Sequence, residues 1–421
     1  MTTYREIFGI REFRVLFVVR LFTMTGVVVS GLALGTVMYH ETRSPFLTAI
    51  SLFGGPLVQL VTARYLLASA DLFRPRTAMI CMAVIATSTA ALQMLPGLSW
   101  WMRFLILAGG YVAMAATSGT VVALLSDIVP KDAYVLARAT MNITVGGMQI
   151  VGNAAGALLL AVVSPTWLFG IAATVSVTAG VTARIGLFDR PPRAVGKVVE
   201  RSRRINRELL TSSVVRPLYL MMWVPNGLVV GCEALFIPYS TGHAGYLLAA
   251  GAVGMLCGDI VVGRFVPEAV RDRLILPLRV LLAVPFLAFP LSLPVPVAAT
   301  LVGVSAFGYS ASLPLQERLV RHTREDVRGQ AFGLSGTGVM VGQALGALLA
   351  GGTAQLLGAA GSVGWAMAMM AVLSLLVTWL LRKGLRDRVA GSDRVDQCTV
   401  GQEGEHEVAV PAHDVGGQVS A

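Results

Sequence analysis

Ionisable side chains inside long apolar runs are where this sequence could do chemistry, because a charge in hydrocarbon is expensive and normally faces a cavity or a partner. Six stand so: Arg20, Arg64, Arg184, Glu233, Asp259 and Arg279. Glu233 lies in WVPNGLVVGCEALFIPY, where Pro225, Gly227 and Gly231 permit bending, and Asp259 lies in GDIVVGR. A buried carboxyl that meets water first on one side of a membrane and then on the other can take up and release a proton. Glu233 and Asp259 are therefore candidate proton carriers, with Arg20 as the candidate counter-charge. A fixed ion pair of Asp259 with Arg20 or Arg264 is the structural alternative. Arg64 and Arg184 fall near the ends of their runs, from which a long side chain can snorkel to the surface.

Other chemistries find little support. The five histidines, His40, His243, His322, His406 and His413, have no metal-binding spacing, and no glycine-rich phosphate cradle precedes a helix. A membrane enzyme would cluster catalytic groups at one face, so we expect no enzyme and no cofactor. Cys81, Cys232 and Cys257 sit in apolar stretches and Cys398 in a polar tail, a placement that suggests no disulfide. The formal charge of +10 is not gathered on a polar domain, which argues against a nucleic-acid partner.

The elements that hold these residues are membrane spans. Only 13% of residues are charged and 55% are hydrophobic, against about a quarter charged in soluble domains. Apolar runs of about 20 residues, the length that crosses a bilayer, fall at 14–39, 46–68, 77–96, 101–126, 137–163, 166–188, 216–239, 243–265, 273–293, 295–315, 329–356 and 361–381. The first run, from Val15 to Met38, is too long for the core of a cleaved signal peptide, so the amino terminus is expected to remain. With that terminus in the cytoplasm, basic residues fall inside at every alternate loop and only Arg43 and Arg103 land outside, as the positive-inside rule requires. The expected location is the inner cell membrane, with both termini cytoplasmic.

The spans divide the chain into a six-helix half over 1–188, a basic linker over 189–215, a second six-helix half over 216–383 and a disordered tail over 384–421. The linker carries eight Lys or Arg residues from Arg190 to Arg216 and reads as an anchor on anionic lipid headgroups.

An internal repeat links the halves. VGNAAGALLLA at Val151 recurs as VGQALGALLAG at Val341, an offset of 190 without a gap. In that register Asp127 matches Glu317, Arg138 matches Arg328 and Gly146 matches Gly336. Gly152 and Gly156 match Gly342 and Gly346, and glycines four apart let a second backbone approach closely. They serve either packing alone or a rocking interface between halves.

Twelve spans in two sixes with a basic central loop resemble the major facilitator superfamily over roughly residues 10–385. LASADLFRPR is similar to the family's loop between spans two and three, keeping Asp71 and Arg76 but with Leu67 and Arg74 where glycines are expected. By that resemblance Asp71 and Arg76 hold the cytoplasmic ends of the halves together. The run from Gly152 to Gly156 resembles the antiporters' G-P-x-x-G, with Asn153 in place of proline. The opening EFRVLFVVRLFTMTG and the turn ETRSP are similar to a bacterial efflux subgroup that includes macrolide and siderophore exporters, with Arg20 matching its arginine and Val27 standing where an aspartate is common. No counterpart of the span-four arginine of proton-coupled members occurs near Ile106. Span nine is peripheral in this family, which gives Arg279 a structural reading.

The resemblance implies an all-α integral membrane fold and a monomeric secondary transporter using alternating access. Its expected activity is export of a hydrophobic or amphipathic antibiotic or metabolite by proton antiport, with proton-coupled uptake as the alternative. A pocket for such cargo would be apolar, with aromatic and thioether surfaces and a few polar groups. The candidates on cavity-lining spans are Phe22, Met24, Tyr111, Met114, Asn142, Met148, Gln149, Trp223, Asn226 and Tyr309.

Overall fold

The computed structural model describes residues 4–55, 57–58, 74–115, 124–125, 127–130, 133, 136–137, 140–141, 147–148, 151–152, 155–156, 158–160, 162–190, 196–324, 327–358 and 362–386. No strand occurs among them. Nine helical stretches are long and apolar enough to cross a membrane among the described residues: Arg11–Thr42, Pro75–Gln93, Pro165–Gly186, Val215–Tyr239, Ala244–Phe265, Val270–Leu291, Val295–Arg321, Gln330–Leu357 and Ser362–Arg382. They correspond one to one with expected spans one, three, six and seven to twelve. The apolar helix Trp100–Met114 covers the start of span four, and Pro45–Phe53 covers the start of span two. Most of span five lies outside the described residues. Large apolar side chains such as Trp167, Ile185, Leu291 and Leu356 face outward, a surface that lipid rather than water can cover.

A short helix α1 (Tyr4–Gly9) leads into α2 (Arg11–Thr42), whose 32 residues are more than a membrane-spanning helix needs. Its end is set at Arg43, which adopts a left-handed conformation with φ 53°. Ser44 then starts α3 (Pro45–Phe53): its hydroxyl accepts the Leu47 N–H at 3.2 Å, and Pro45 occupies the first turn, where its missing N–H costs nothing. Proline also opens α4 (Pro75–Gln93) and α6 (Pro165–Gly186), on either side of α5 (Trp100–Ala115).

Between the halves, α7 (Gly196–Thr211) is helical and amphipathic. Its Leu209 is buried and Ile205 packs beside it against Tyr219, Leu315 and Ala331. Asn206 accepts a 2.8 Å hydrogen bond from Gln330. The linker thus docks on the second half, in addition to offering basic side chains to solvent. Its start is tied to the first half: Arg190 donates to Glu12 through both ends of its fork, the Nη2 bond being 2.7 Å long, and the Phe188 N–H donates to Glu12 at 3.0 Å. Hydrogen bonding to Glu12 holds the Arg190 guanidinium above its ordinary range.

The second half runs α8 (Val215–Ala234), α9 (Phe236–Tyr239), α10 (Ala244–Ile260) with a π-helical extension at Val261–Phe265, and α11 (Glu268–Ala283) with a 3-10 extension at Val284–Leu291. Next come α12 (Val295–Phe307), a 3-10 turn at Gly308–Ala311, α13 (Ser312–Arg321), α14 (Arg328–Leu357) and α15 (Ser362–Arg386). Span ten therefore continues beyond the expected 315, because Gln316, Glu317 and Arg318 keep helical spacing after the apolar run ends.

The repeat is visible as packing. A Cβ built at Gly152 would meet Val28 at 3.0 Å and one at Gly156 would meet Leu32 at 3.0 Å, so span five lies on span one. At the matching positions, a Cβ at Gly342 would stand 2.7 Å from the Trp223 carbonyl oxygen, and one at Gly346 would overlap the Gly227 carbonyl. Span eleven lies on span seven in the same way. All four glycines join helices within a half in this conformation.

Among the described residues, contacts between the halves gather at one end. Gly351 on α14 receives α3, with Ala49 Cβ at 2.9 Å and the Pro45 carbonyl oxygen at 3.1 Å from its notional Cβ. Ser44 Oγ bonds Gln355 at 2.8 Å, and the Tyr39 hydroxyl donates to the Pro238 carbonyl at 3.4 Å. Deeper in, Ala49, Ala234 and Ala347 form one buried cluster with Phe53 against it. At the opposite, arginine-rich end the described ion pairs stay within a half or reach only the linker: Arg74 with Asp189, Arg271 with Glu317, and Arg318 and Arg321 with Asp272.

Candidate proton and substrate site

Close backbone approach builds the most ionisable part of the interior. A Cβ at Gly308 would lie 2.5 Å from the Leu278 carbonyl oxygen and 2.6 Å from the Leu282 nitrogen, so only glycine lets span ten cross span nine there. Ser305 reinforces the crossing, its hydroxyl donating to the Leu282 carbonyl at 2.5 Å. The crossing fixes the next residue, Tyr309, whose hydroxyl donates to Glu233 Oε1 at 2.9 Å. Tyr309 is buried and Glu233 half-buried. Glu233 immediately precedes Ala234, a member of the alanine cluster between the two halves. A candidate proton carrier and a candidate substrate contact are thus one hydrogen-bonded unit.

Arg279 departs from the structural expectation. It does not snorkel: it is 0% exposed, the largest fully buried side chain, and Nε, Nη1 and Nη2 have no hydrogen-bond partner among the described residues. Leu278 and Leu282 of the same helix touch the position of Gly308, which precedes Tyr309. The family resemblance makes span nine peripheral, but helix number does not reveal which face of that helix Arg279 occupies.

The Asp259 alternative is also corrected. Asp259 is exposed on α10 just before the π-helical turn and pairs with neither Arg20 nor Arg264. Arg20 is half-buried on α2 without a described hydrogen-bond partner. Arg184 is exposed at the end of α6, as snorkelling requires, and its carbonyl accepts a hydrogen bond from Arg76. Arg76 thereby joins spans three and six within the first half. Asp71, Arg64, Asn142 and Gln149 lie outside the described residues.

The remaining substrate candidates form two groups. On the first half, Tyr111 and Met114 line a small cleft with Gly26, Ser30, Thr89 and Ser176, of about 40 Å³, room for a water rather than an organic solute. Phe22 packs on the cluster containing Met82 and Met114, Met24 is half-buried, and Met148 accepts a 3.7 Å contact from Thr25. On the second half, Trp223 stacks on Tyr219 at 4.9 Å between centroids and donates its Nε1–H to the Ser335 carbonyl at 3.1 Å. Asn226 is buried and accepts from Gln343 at 3.5 Å. Gln343 was not read as a site residue; its place one residue after Gly342, on the face turned to span seven, was the available signal. A larger recess of about 600 Å³ lies among Ala250, Gly254, Cys257, Leu281, Gly303 and Phe307, but Val253 and Val304 at its rim face outward and none of the candidates lines it.

A family profile described as the Major Facilitator Superfamily matches residues 16–316. Among solved structures, a POT family transporter in complex with 5-aminolevulinic acid superposes with a TM-score of 0.65 at 12% identity, covering 88% of this chain and 95% of that one. A bacterial homologue of the human lysosomal transporter Spinster, inward-facing and occupied, gives 0.61 at 13% identity, with coverages of 91% and 98%. A D-xylose-proton symporter gives 0.61 at 13%, with 89% and 97%. At such identities the likeness is one of fold. No curated protein sequence matches the chain.

Proposed function

This chain belongs to the Major Facilitator Superfamily, and on that premise we propose that it exports a hydrophobic or amphipathic small molecule in exchange for protons. The observation that carries the proposal is the Tyr309–Glu233 hydrogen bond, one residue along the chain from Ala234 of the alanine cluster between the halves. A carboxyl at that place can gain or lose its proton as the neighbouring contact opens and closes. Charge placement puts the arginine-rich end in the cytoplasm, so the contact at Tyr39, Ser44 and Gln355 closes the outer face. In the proposed cycle cargo enters from the inner side, the halves rock, and Glu233 takes up a proton from outside as cargo leaves. On return it releases that proton to cytoplasmic water.

In this reading the aromatic and thioether side chains of the candidate set, with Asn226 and Gln343 as polar contacts, suit apolar cargo. Asp259 with Arg20 forms a second proton-linked pair only in another conformation, and Asp71 and Arg76 act at the cytoplasmic closure. The carrier works as a monomer in the inner membrane.

Two measurements test the proposal. Expression in a susceptible, efflux-deficient host should protect against members of a panel of macrolides and other amphipathic compounds. In proteoliposomes, an imposed pH gradient should drive movement of a protecting compound, and Glu233→Gln should abolish that dependence while leaving membrane insertion intact. A Glu233→Gln carrier that responds to the gradient like the original removes Glu233 as the proton site.

A further inference from the structure

Among the groups buried in this protein, Arg279 is the one whose surroundings least account for it. A guanidinium carries five donors and keeps its charge. Leaving it buried without a hydrogen bond costs several kcal/mol, on the order of what breaking a buried ion pair costs. Spans eight, nine, ten and twelve around it are described, and none supplies an acceptor. Across the Gly308 crossing from its helix stands Tyr309. Tyr309 has one hydroxyl proton and gives it to Glu233. The Gly308 crossing fixes Arg279 and Tyr309, since Leu278 and Leu282, which touch Gly308, flank Arg279 in sequence and Tyr309 follows Gly308, and the hydrogen bond adds Glu233.

The chain of groups therefore runs guanidinium, phenol, carboxyl. A buried positive charge held at the same crossing polarises the phenolic O–H bond and makes it a stronger donor. It also disfavours the phenol turning round to offer its proton towards Arg279, which has no lone pair to accept it. The other ionisable group against Glu233 is its neighbour Cys232, whose sulfur contacts the Leu228 and Met367 carbonyls. Spans eleven and twelve face this stretch of span seven with Ala350 and Met367, which carry no charge.

We propose that Arg279 is a positioning residue for the proton site, a fixed buried charge that acts on Glu233 through the Tyr309 hydroxyl. When Glu233 is ionised, the polarised phenol stabilises the carboxylate. When Glu233 takes a proton, the new O–H bond forms at the carboxyl and the phenol keeps its own proton, so no charge moves on Tyr309 or Arg279. The inference rests on the reading of Glu233 as proton carrier, and its test reads the carboxyl without any transport.

Difference infrared spectroscopy of the purified full-length protein in detergent, taken over a pH series, resolves a protonated-carboxyl band that Glu233→Gln should remove. Arg279→Gln should shift the midpoint of that band by about one pH unit or more, in the sense expected of a carboxyl that has lost a nearby cation. Arg279→Lys, which keeps the charge but not the planar fork, should shift it less. In a Tyr309→Phe background, neither substitution should move the midpoint appreciably. A midpoint indifferent to Arg279, or one that moves as much without the Tyr309 hydroxyl as with it, overturns the proposal, as does the lack of any titrating Glu233 band. Should Arg279→Gln not insert, the Arg279→Lys shift and its disappearance in Tyr309→Phe carry the same test. The proton-coupled reading fails separately, in proteoliposomes, if Glu233→Gln leaves the response to a pH gradient unchanged.

Discussion

Replacing Gly346 by alanine should cost far more than replacing its repeat mate Gly156, although both changes add one methyl to a glycine four residues after another. At Gly156 the methyl would meet the end of a flexible side chain, Leu32 Cδ2 at 3.0 Å, and Val29 Cγ2 at an ordinary 3.7 Å. Leu32 can rotate away, so the strain stays below about 1 kcal/mol and is offset by the roughly 1 kcal/mol by which alanine exceeds glycine in a helix. At Gly346 the methyl would overlap the Gly227 carbonyl and Leu228 N would stand 3.0 Å away, all backbone of span seven. Spans seven and eleven must then separate by roughly 1 Å to restore normal contact distances. The same interface includes Gly231, whose notional Cβ is 2.5 Å from the Gly346 oxygen, and Gly342 against Trp223, so separation loosens the contact along two turns. Overpacking at the upper end of its usual range, about 3 kcal/mol, less about 1 kcal/mol from propensity, leaves a net loss of about 2 kcal/mol. Unfolding of the purified protein in mixed micelles by increasing sodium dodecyl sulfate should resolve that difference between the two variants. Equal stabilities for Gly156→Ala and Gly346→Ala would refute the claim that span eleven meets span seven backbone to backbone.

Cysteines at Ser44 and Gln355, placed in a background lacking Cys81, Cys232, Cys257 and Cys398, should react together with a short bis-methanethiosulfonate reagent because the side chains touch at 2.8 Å. Transport should stop on cross-linking and return on reduction; continued transport would mean that this contact need not open. Glu12→Gln should destabilise the first half by about 2 kcal/mol, since Glu12 is nearly buried and accepts both Arg190 and the Phe188 N–H, and trypsin should cut the basic linker faster. Unchanged cleavage would show that the linker's start is held some other way.

The spans were legible because a bilayer imposes one length and one polarity on each of them. Apolar runs and turn residues alone place spans seven to twelve to within a few residues of the observed helices, except for the end of span ten, which runs on to Arg321. The repeat also marked the four glycines, but not the helix each would meet: Trp223 and Gly227 lie more than a hundred residues before Gly342 and Gly346, with no pattern linking them. The candidate proton site was half legible. Glu233 and Tyr309 were both singled out, for different reasons and 76 positions apart, and only the Gly308 crossing brings them together. Arg279 was misjudged because a charged residue on an apolar helix looks alike in sequence whether it faces headgroups or the protein interior.

The alanine layer between the halves sets an energy scale. Ala49, Ala234 and Ala347 bury one methyl each between the halves, and a buried methyl-sized group contributes about 0.8 kcal/mol. Wetting this layer therefore costs on the order of 2 kcal/mol, close to the roughly 2.3 kcal/mol released when one charge falls through 100 mV. The closure is therefore softest where its side chains carry a single carbon, and firmer beside that layer, where Leu32 of the first half meets Ile237 of the second.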